Sequence, residues 1–134
     1  MSMIPQAAIE AILKFKNNHP WKGTLAERKE KFARFHDEFS AAFDLAVDID
    51  FSHVDDNIVS GNTYIDIAQH PYVIHWHGRL SVITYLHEFA HGLYRSGNQE
   101  QAREWSYAVF RTHFPKQFAK LTFRNGMALR ERRV

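Results

Sequence analysis

The sequence predicts one α+β domain spanning residues 1–134: a small β-sheet, a helix that carries two histidines, and an antiparallel helix packed against it. Two observations predict this class. Apolar residues recur at helical spacing on both sides of the centre of the chain, whereas residues 47–77 follow the short patterns of strands. Hydrophobic residues make up 45% of the chain and charged residues 24%, which is typical of a globular domain with its own core.

Two helices are predicted before the sheet. The first runs from Ile4 to Asn17, with Pro5 near its start. The second begins after Thr24, a residue that can cap a helix, and continues to about Phe43. Its apolar stripe is a row of phenylalanines that we interpret as core packing rather than a ligand site: Phe32, Phe35, Phe39 and Phe43.

The middle of the chain predicts three short strands. The first contains Val47, Ile49 and Phe51, which alternate with acidic residues. The other two, residues 64–67 and 72–77, are separated by Pro71. Two histidines of the last strand share one face and allow three interpretations, as metal ligands, as substrate contacts or as ordinary surface residues: His75 and His77.

The next helix carries the most specific motif of the chain, His-Glu-x-x-His at residues 87–91. Two histidines four residues apart project from one face of a helix and can hold one divalent metal. Glu88 can then act as a base on water held by that metal. Ser81 is the predicted N-cap of this helix, and Gly97 with Asn98 the predicted stop.

A third metal ligand is expected on the following helix, because two histidines alone hold zinc weakly. A turn at residues 96–98 would make that helix antiparallel and bring residues 101–104 level with His91. We predict Glu104 as the ligand, as a compromise between helical phase and the preference of zinc for a carboxylate. Other residues of this helix stay open as alternatives: Glu100, Gln101 and His113.

The end of the chain is basic. Residues 111–134 carry seven Lys and Arg against Glu131 alone, a net charge of +6, whereas residues 1–110 carry −4. Phe118, Leu121 and Phe123 predict a last short helix that Asn125-Gly126 ends. The basic tail, about residues 124–134, can contact nucleic acid or form a solvated surface.

The motif and its flanks resemble a known family. Residues 78–91, followed by Gln101-Ala102 and Trp105-Ser106, are similar to minimal gluzincins of the ImmA/IrrE type and to metallopeptidases encoded by phages and plasmids, over about residues 60–115. The resemblance implies a zincin-like fold, with His87 and His91 as metal ligands and Glu88 as the base. The acidic ligand of the family would fall on Gln101, where this chain departs from the pattern.

These features lead to two hypotheses. In the first, the chain is a zinc metallopeptidase-like hydrolase in which Glu88 activates a zinc-bound water to cleave a peptide or protein substrate. In the second, it is a non-catalytic binding or regulatory module on a degenerate metallopeptidase scaffold, which contacts nucleic acid through its basic end. The sequence also predicts a cytoplasmic, non-membrane protein, because it shows neither a signal-peptide pattern nor a membrane-length apolar run. Three residues are considered as donors to a reaction oxyanion: Tyr94, His75 and His77.

Overall fold

The protein has a mixed α+β architecture, as the sequence predicts. The computed structural model describes residues 4–58, 62–124 and 127–130, with side chains as far as residue 121. The helices of this part of the chain are α1 Gln6–Asn17, α2 Leu25–Ala42, α3 Val82–Tyr94, α4 Gln99–His113 and α5 Pro115–Ala119. Its strands are β1 Val47–Val54, β2 Tyr64–Asp66, β3 Tyr72–Gly78, β4 Thr122–Arg124 and β5 Met127–Arg130.

The first two helices begin close to the predicted positions. Helix α1 starts at Gln6, after Pro5, and ends at Asn17. Helix α2 begins with a reciprocal capping box: the Thr24 hydroxyl accepts a hydrogen bond from the Glu27 N–H at 3.2 Å, and the Glu27 carboxylate accepts one from the Thr24 N–H at 2.8 Å. These bonds satisfy backbone donors that the first turn of a helix otherwise leaves open.

The main sheet has three strands in the order β1-β3-β2, with β1 parallel and β2 antiparallel to β3. Because side chains alternate along a strand, β3 faces two environments. Ile74 and Trp76 are fully buried in the core, whereas His75 and His77 point to the other face and are half-buried. Among the described residues, strand β2 pairs on one side and therefore forms an edge of this sheet.

The core between α2, α3 and the sheet is largely aromatic. Phe35 stacks on Phe15 of α1 at a ring-centroid distance of 4.3 Å, and Phe39 contacts Phe89 of α3 at 4.9 Å. Phe32, Phe35 and Phe39 are each at most 3% exposed. This burial confirms that these three phenylalanines of α2 are core packing. Phe43, the residue after α2, is partly buried against the same core.

A buried histidine links three elements of this core. The His36 Nδ1 accepts a hydrogen bond from the Tyr85 hydroxyl at 2.7 Å, and its Nε2–H donates to the Val47 carbonyl. These contacts join α2 to α3 and to the start of β1. Burial lowers the pKa of His36, although the Val47 hydrogen bond raises it, so the ring is neutral in the folded protein near pH 7.

Helix α3 begins where predicted but ends earlier. The Ser81 hydroxyl accepts a hydrogen bond from the Thr84 N–H at 3.2 Å, which confirms the N-cap. The helix ends at Tyr94 because Arg95 adopts a left-handed conformation, with φ 52° and ψ 45°. The prediction that Gly97 stops this helix is therefore wrong, since a non-glycine residue makes the turn two positions earlier.

The last predicted helix is shorter than expected. Helix α5 contains Phe118 but ends at Ala119, and Phe123 lies in β4, which pairs antiparallel with β5. The prediction of one helix through Phe123 is wrong. Asn125, Gly126 and residues 131–134 lie outside the described residues, so the predicted basic tail is described only in part, through the backbone of β4 and β5. Within the part of the chain that is described, no helix combines the length and apolar character needed to cross a membrane.

Candidate metal centre

The two histidines of the motif lie together at the exposed end of the α3–α4 pair. His87 and His91 are one turn apart on α3, and their ring centroids are 4.9 Å apart with the rings nearly perpendicular. His91 is buried, and His87 is half-buried. Their Nε2 atoms both lie close to the first turn of α4, so we look for a further protein ligand at the start of that helix.

The residue at that position is Gln99. Its side-chain oxygen, Oε1, lies 2.7 Å from the Nε2 of His87 and 3.1 Å from the Nε2 of His91. Three atoms that can bind a metal, two imidazole nitrogens and one amide oxygen, thus lie close together.

The short α3–α4 connection explains why Gln99 occupies this place. With Arg95 as the turning residue, His91 lies four residues before it and Gln99 four residues after it, so the two side chains come level. The Asn98 side chain caps α4 by accepting a hydrogen bond from the Gln101 N–H at 3.0 Å. The left-handed turn at Arg95 therefore selects the first residue of α4, rather than residues 101–104, as the neighbour of His91.

The connection also orients the His91 ring. Its Nδ1–H donates to the Ser96 carbonyl at 2.7 Å. This bond fixes the tautomer of the neutral ring and leaves a lone pair on Nε2, as is usual for metal-binding histidines. That lone pair faces the Gln99 oxygen, and two acceptors do not stabilise each other. A cation bound to both atoms, a proton on the His91 Nε2, or an amide rotated by 180° to present its NH₂ group each resolves the contact.

The distances from the Gln99 oxygen to the two histidine nitrogens can be compared with those of a zinc site. In a tetrahedral zinc site with bonds of about 2.0 to 2.1 Å, neighbouring donor atoms lie about 3.3 Å apart. The Gln99 oxygen is within a few tenths of an ångström of that distance from the Nε2 of His91. It is 2.7 Å from the Nε2 of His87, so those two atoms would have to separate slightly. Both separations are thus shorter than those of a zinc site, by about 0.2 and about 0.6 Å, and an outward movement of Gln99 would bring its oxygen to zinc-site distances from the two nitrogens.

Glu88 lies beside this group rather than in it. Its Oε1 accepts a hydrogen bond from the Ile65 N–H of the edge strand β2 at 3.1 Å. Burial raises the pKa of Glu88 to about 7, while the charge of His91 and the Ile65 hydrogen bond lower it. A carboxylate with a pKa near neutrality can both accept and release a proton at physiological pH.

A cavity of about 430 Å³ opens over these groups. Burial lowers the pKa of His87, the Gln99 hydrogen bond raises it, and the nearby charges of His91 and Arg103 lower it. His87 therefore favours the neutral form that binds metal. The cavity is lined by residues of α3 and α4: Ile83, Thr84, His87, Glu88, Gln99, Arg103, Ser106 and Tyr107.

The structure does not bring the predicted ligand Glu104 to the two histidines. Glu104 is exposed and lines a different cleft, of about 640 Å³, on another face of α4. Glu104 lies five positions after Gln99, so it projects about 140° farther round the helix. Two of the alternatives, Gln101 and His113, line the same distant cleft, and Glu100 is exposed in the first turn of α4.

The three residues considered as oxyanion donors are also elsewhere. Tyr94 lines the cleft of Glu104. His75 lies 3.7 Å from the Asp50 carboxylate and stacks on Tyr64, and His77 stacks on His53 at 4.8 Å. None of the three lines the cavity over Glu88. Both strand histidines instead belong to the open face of the sheet.

Sequence reasoning missed Gln99 because it placed the turn at residues 96–98, which made residues 101–104 level with His91, and because it preferred a carboxylate. Among the described residues, no group of three His, Cys, Asp or Glu side chains is placed to hold a metal ion. The third group of this cluster is an amide, which such a search passes over. The signal that could have found it is the Asn98 cap, which makes Gln99 the first residue of α4 and the one nearest to the preceding helix.

Comparison with known proteins gives no match: neither a family model, nor a curated protein, nor a solved structure is similar to this chain. The resemblance to gluzincins therefore rests on the sequence of the motif and its flanks.

Proposed function

We propose that the protein is a zinc-dependent, peptidase-like hydrolase with a zincin-like site. The observation that carries the proposal is the convergence of the His87 and His91 Nε2 atoms with the Gln99 oxygen, beside the carboxylate of Glu88. His87, His91 and Gln99 would hold the metal. When bound, zinc supplies Lewis-acid chemistry: it lowers the pKa of water and polarises a carbonyl group.

Glu88 is the proton carrier in this proposal. The Ile65 N–H holds its Oε1, and within the described part of the chain no hydrogen bond occupies Oε2. Oε2 is therefore available to accept a proton from the attacking water and to pass it to the leaving amine. The Ser96 carbonyl keeps the His91 ring in the tautomer that presents a lone pair to the metal position.

The outer edge of β2 gives a place for an extended substrate beside Glu88. Among the described residues this strand pairs with β3 alone, and its Ile65 N–H donates a hydrogen bond to the Glu88 carboxylate. A peptide that adds to this edge by backbone hydrogen bonds would bring its carbonyl groups close to the catalytic carboxylate. This arrangement favours a peptide or protein as the substrate class.

One observation favours the second hypothesis, a non-catalytic module. Gln99 is uncharged, and an amide oxygen attracts a dication less than a carboxylate does. With its amide rotated, the Gln99 NH₂ group can donate to the His91 nitrogen without any metal. In that arrangement the cluster is a structural hydrogen-bond network, and the contact with a partner, including nucleic acid, falls to the basic end of the chain.

The Glu88→Gln variant tests the enzymatic proposal. Gln is nearly isosteric with Glu and does not belong to the metal-binding group, so this variant should bind one zinc per chain as the wild type does and lose hydrolysis of a peptide pool. Zinc content is measured by atomic absorption, and hydrolysis by mass spectrometry of the pool. Zinc-loaded wild type that cleaves no peptide, or Glu88→Gln that cleaves as fast as wild type, would exclude the proposed chemistry.

A further inference from the structure

A positively charged side chain, Arg103, lies in the α4 wall of the cavity. Arg103 follows Gln99 by one helical turn and Tyr107 follows Arg103 by another, so the three side chains line one wall. Arg103 is half-buried. Within the described part of the chain, no carboxylate lies within 4 Å of its guanidinium. Glu88 is the carboxylate among the residues that line the cavity, and it accepts a hydrogen bond from the Ile65 N–H rather than from Arg103.

A half-buried guanidinium has lost part of its hydration and is stabilised by an anion that replaces it. The planar fork of arginine matches a carboxylate through two parallel hydrogen bonds, which makes such a pair both strong and directional. Arg28 shows this arrangement elsewhere in the protein, where it donates two hydrogen bonds to the Asp56 carboxylate. Arg103 has the same chemistry but faces a cavity.

We infer that Arg103 determines specificity by binding a carboxylate of the substrate in the cavity next to Glu88. This inference rests on the proposed function, because it assigns a substrate class to that site. The carboxylate is either an acidic side chain near the scissile bond or the C-terminus of the peptide. Both would place a negative charge opposite the Arg103 guanidinium, which lies in the same cavity wall as Gln99.

Four fluorescein-labelled peptide pools distinguish these sources. The central residue is Glu or Gln, and each version has a free or an amidated C-terminus, with neutral residues elsewhere. Binding is measured by fluorescence anisotropy, with and without zinc, in a Glu88→Gln background that does not cleave the pools. Arg103→Gln removes the charge, Arg103→Lys keeps it without the fork, and Arg111→Gln is the control, since Arg111 is an exposed arginine of α4 outside the cavity.

We expect one carboxylate-bearing pool to bind about tenfold or more tightly than its neutral match, as is usual for a hydrogen-bonded charge pair. This preference should disappear in Arg103→Gln, weaken in Arg103→Lys and persist in Arg111→Gln. A preference for Glu identifies a side-chain site, and a preference for the free C-terminus identifies a terminal site. Equal binding of all four pools, or no binding of any pool, overturns the inference. A zinc titration of each variant separates this failure from that of the proposed function, which fails if the parent protein binds no zinc.

Discussion

At the scale of single residues, the conformation of Arg95 decides which side chain completes the candidate metal centre. A left-handed residue at this position ends α3 at Tyr94 and brings Gln99 level with His91. Had the helix continued to Gly97, as the sequence predicts, the residues of α4 that lie level with His91 would be about one turn farther along that helix. A shift of a few residues in one turn therefore exchanges Gln99 for the region of Gln101 and Glu104.

Substitutions at the two turn positions test this account of the connection. Arg95→Gly should stabilise the fold by about 0.5 to 1 kcal/mol, because glycine adopts positive φ without the steric cost that arginine pays. Gly97→Ala should change the stability by no more than about 1 kcal/mol, since Gly97 has no positive φ and a Cβ there would meet no atom within 4 Å. Chemical denaturation measures both. A large loss in Gly97→Ala would restore Gly97 as the turning residue.

The motif residues were predictable from sequence, and the proposed third ligand, Gln99, was not. Two histidines four residues apart share a helix face in any helix, so the pairing of His87 with His91 follows from local geometry alone. The place of Gln99 depends on the left-handed turn at Arg95, and arginine gives no local signal for such a turn. The choice of Glu104 also favoured ligand chemistry over helical phase, and phase determines which face of α4 meets α3.

At the scale of elements, the packing of α3 against β2 positions the proposed base. Gly92 allows a close approach: a Cβ built on it would lie 2.9 Å from the Cδ1 of Ile65 and 3.4 Å from the Tyr72 ring. Ile65 is also the residue whose N–H holds Glu88. The distance between the helix and the edge strand therefore controls the hydrogen bond that orients the carboxylate.

A double-mutant cycle tests this packing. Gly92→Ala should change the free energy of unfolding by less than about 1 kcal/mol, because the helix propensity that alanine gains over glycine offsets the displacement of the end of the Ile65 side chain. Ile65→Val removes Cδ1 and creates the space, so the same Gly92→Ala change should be more favourable in that background. The free energy of unfolding is measured for all four proteins. Equal changes in the two backgrounds would show that Gly92 and Ile65 are not in contact.

Elements were predicted well where sequence periodicity and caps agree. The Thr24 and Ser81 caps gave helix starts that the structure confirms, and the alternating residues Val47, Ile49 and Phe51 lie within β1, which continues to Val54. The segment after α5 was mistaken for helix because of the spacing of Phe118, Leu121 and Phe123. The same spacing also occurs when a short helix is followed by a strand, as it is here. Pairing of β4 with β5 decides this case, and pairing is a tertiary property that one segment does not reveal.

At the scale of the whole molecule, the buried His36 couples the fold to pH. Its folded-state pKa is lowered by burial, so the unfolded chain binds the additional proton as pH falls below about 6.5. The contribution of neutral His36 to the free energy of unfolding is fully present above that pH and is lost as the pH decreases further. His87 and His113, whose pKa values are also lowered by burial, act in the same direction. Glu88 opposes them between about pH 4.5 and 7, because its pKa is raised and the folded state binds the extra proton.

The His36→Gln variant isolates this contribution. Gln does not titrate, so the free energy of unfolding of the variant should fall less steeply between pH 6.5 and 5 than that of the wild type. Above pH 7 the variant should be less stable, because it does not reproduce both hydrogen bonds, to Tyr85 and to Val47. Urea denaturation at several pH values provides the slopes. Parallel slopes for the two proteins would show that His36 does not titrate on unfolding.

Zinc affinity of two matched variants tests the central claim most directly, namely that Gln99 rather than Glu104 completes the metal group with His87 and His91. Competition against a fluorescent chelator measures the affinity. Gln99→Glu should bind zinc about tenfold or more tightly than wild type, since it places a negative charge at the third donor position, and Gln99→Ala should bind more weakly. Glu104→Gln should leave the affinity unchanged. The opposite pattern, in which Glu104→Gln loses zinc and both Gln99 variants retain wild-type affinity, would contradict the account.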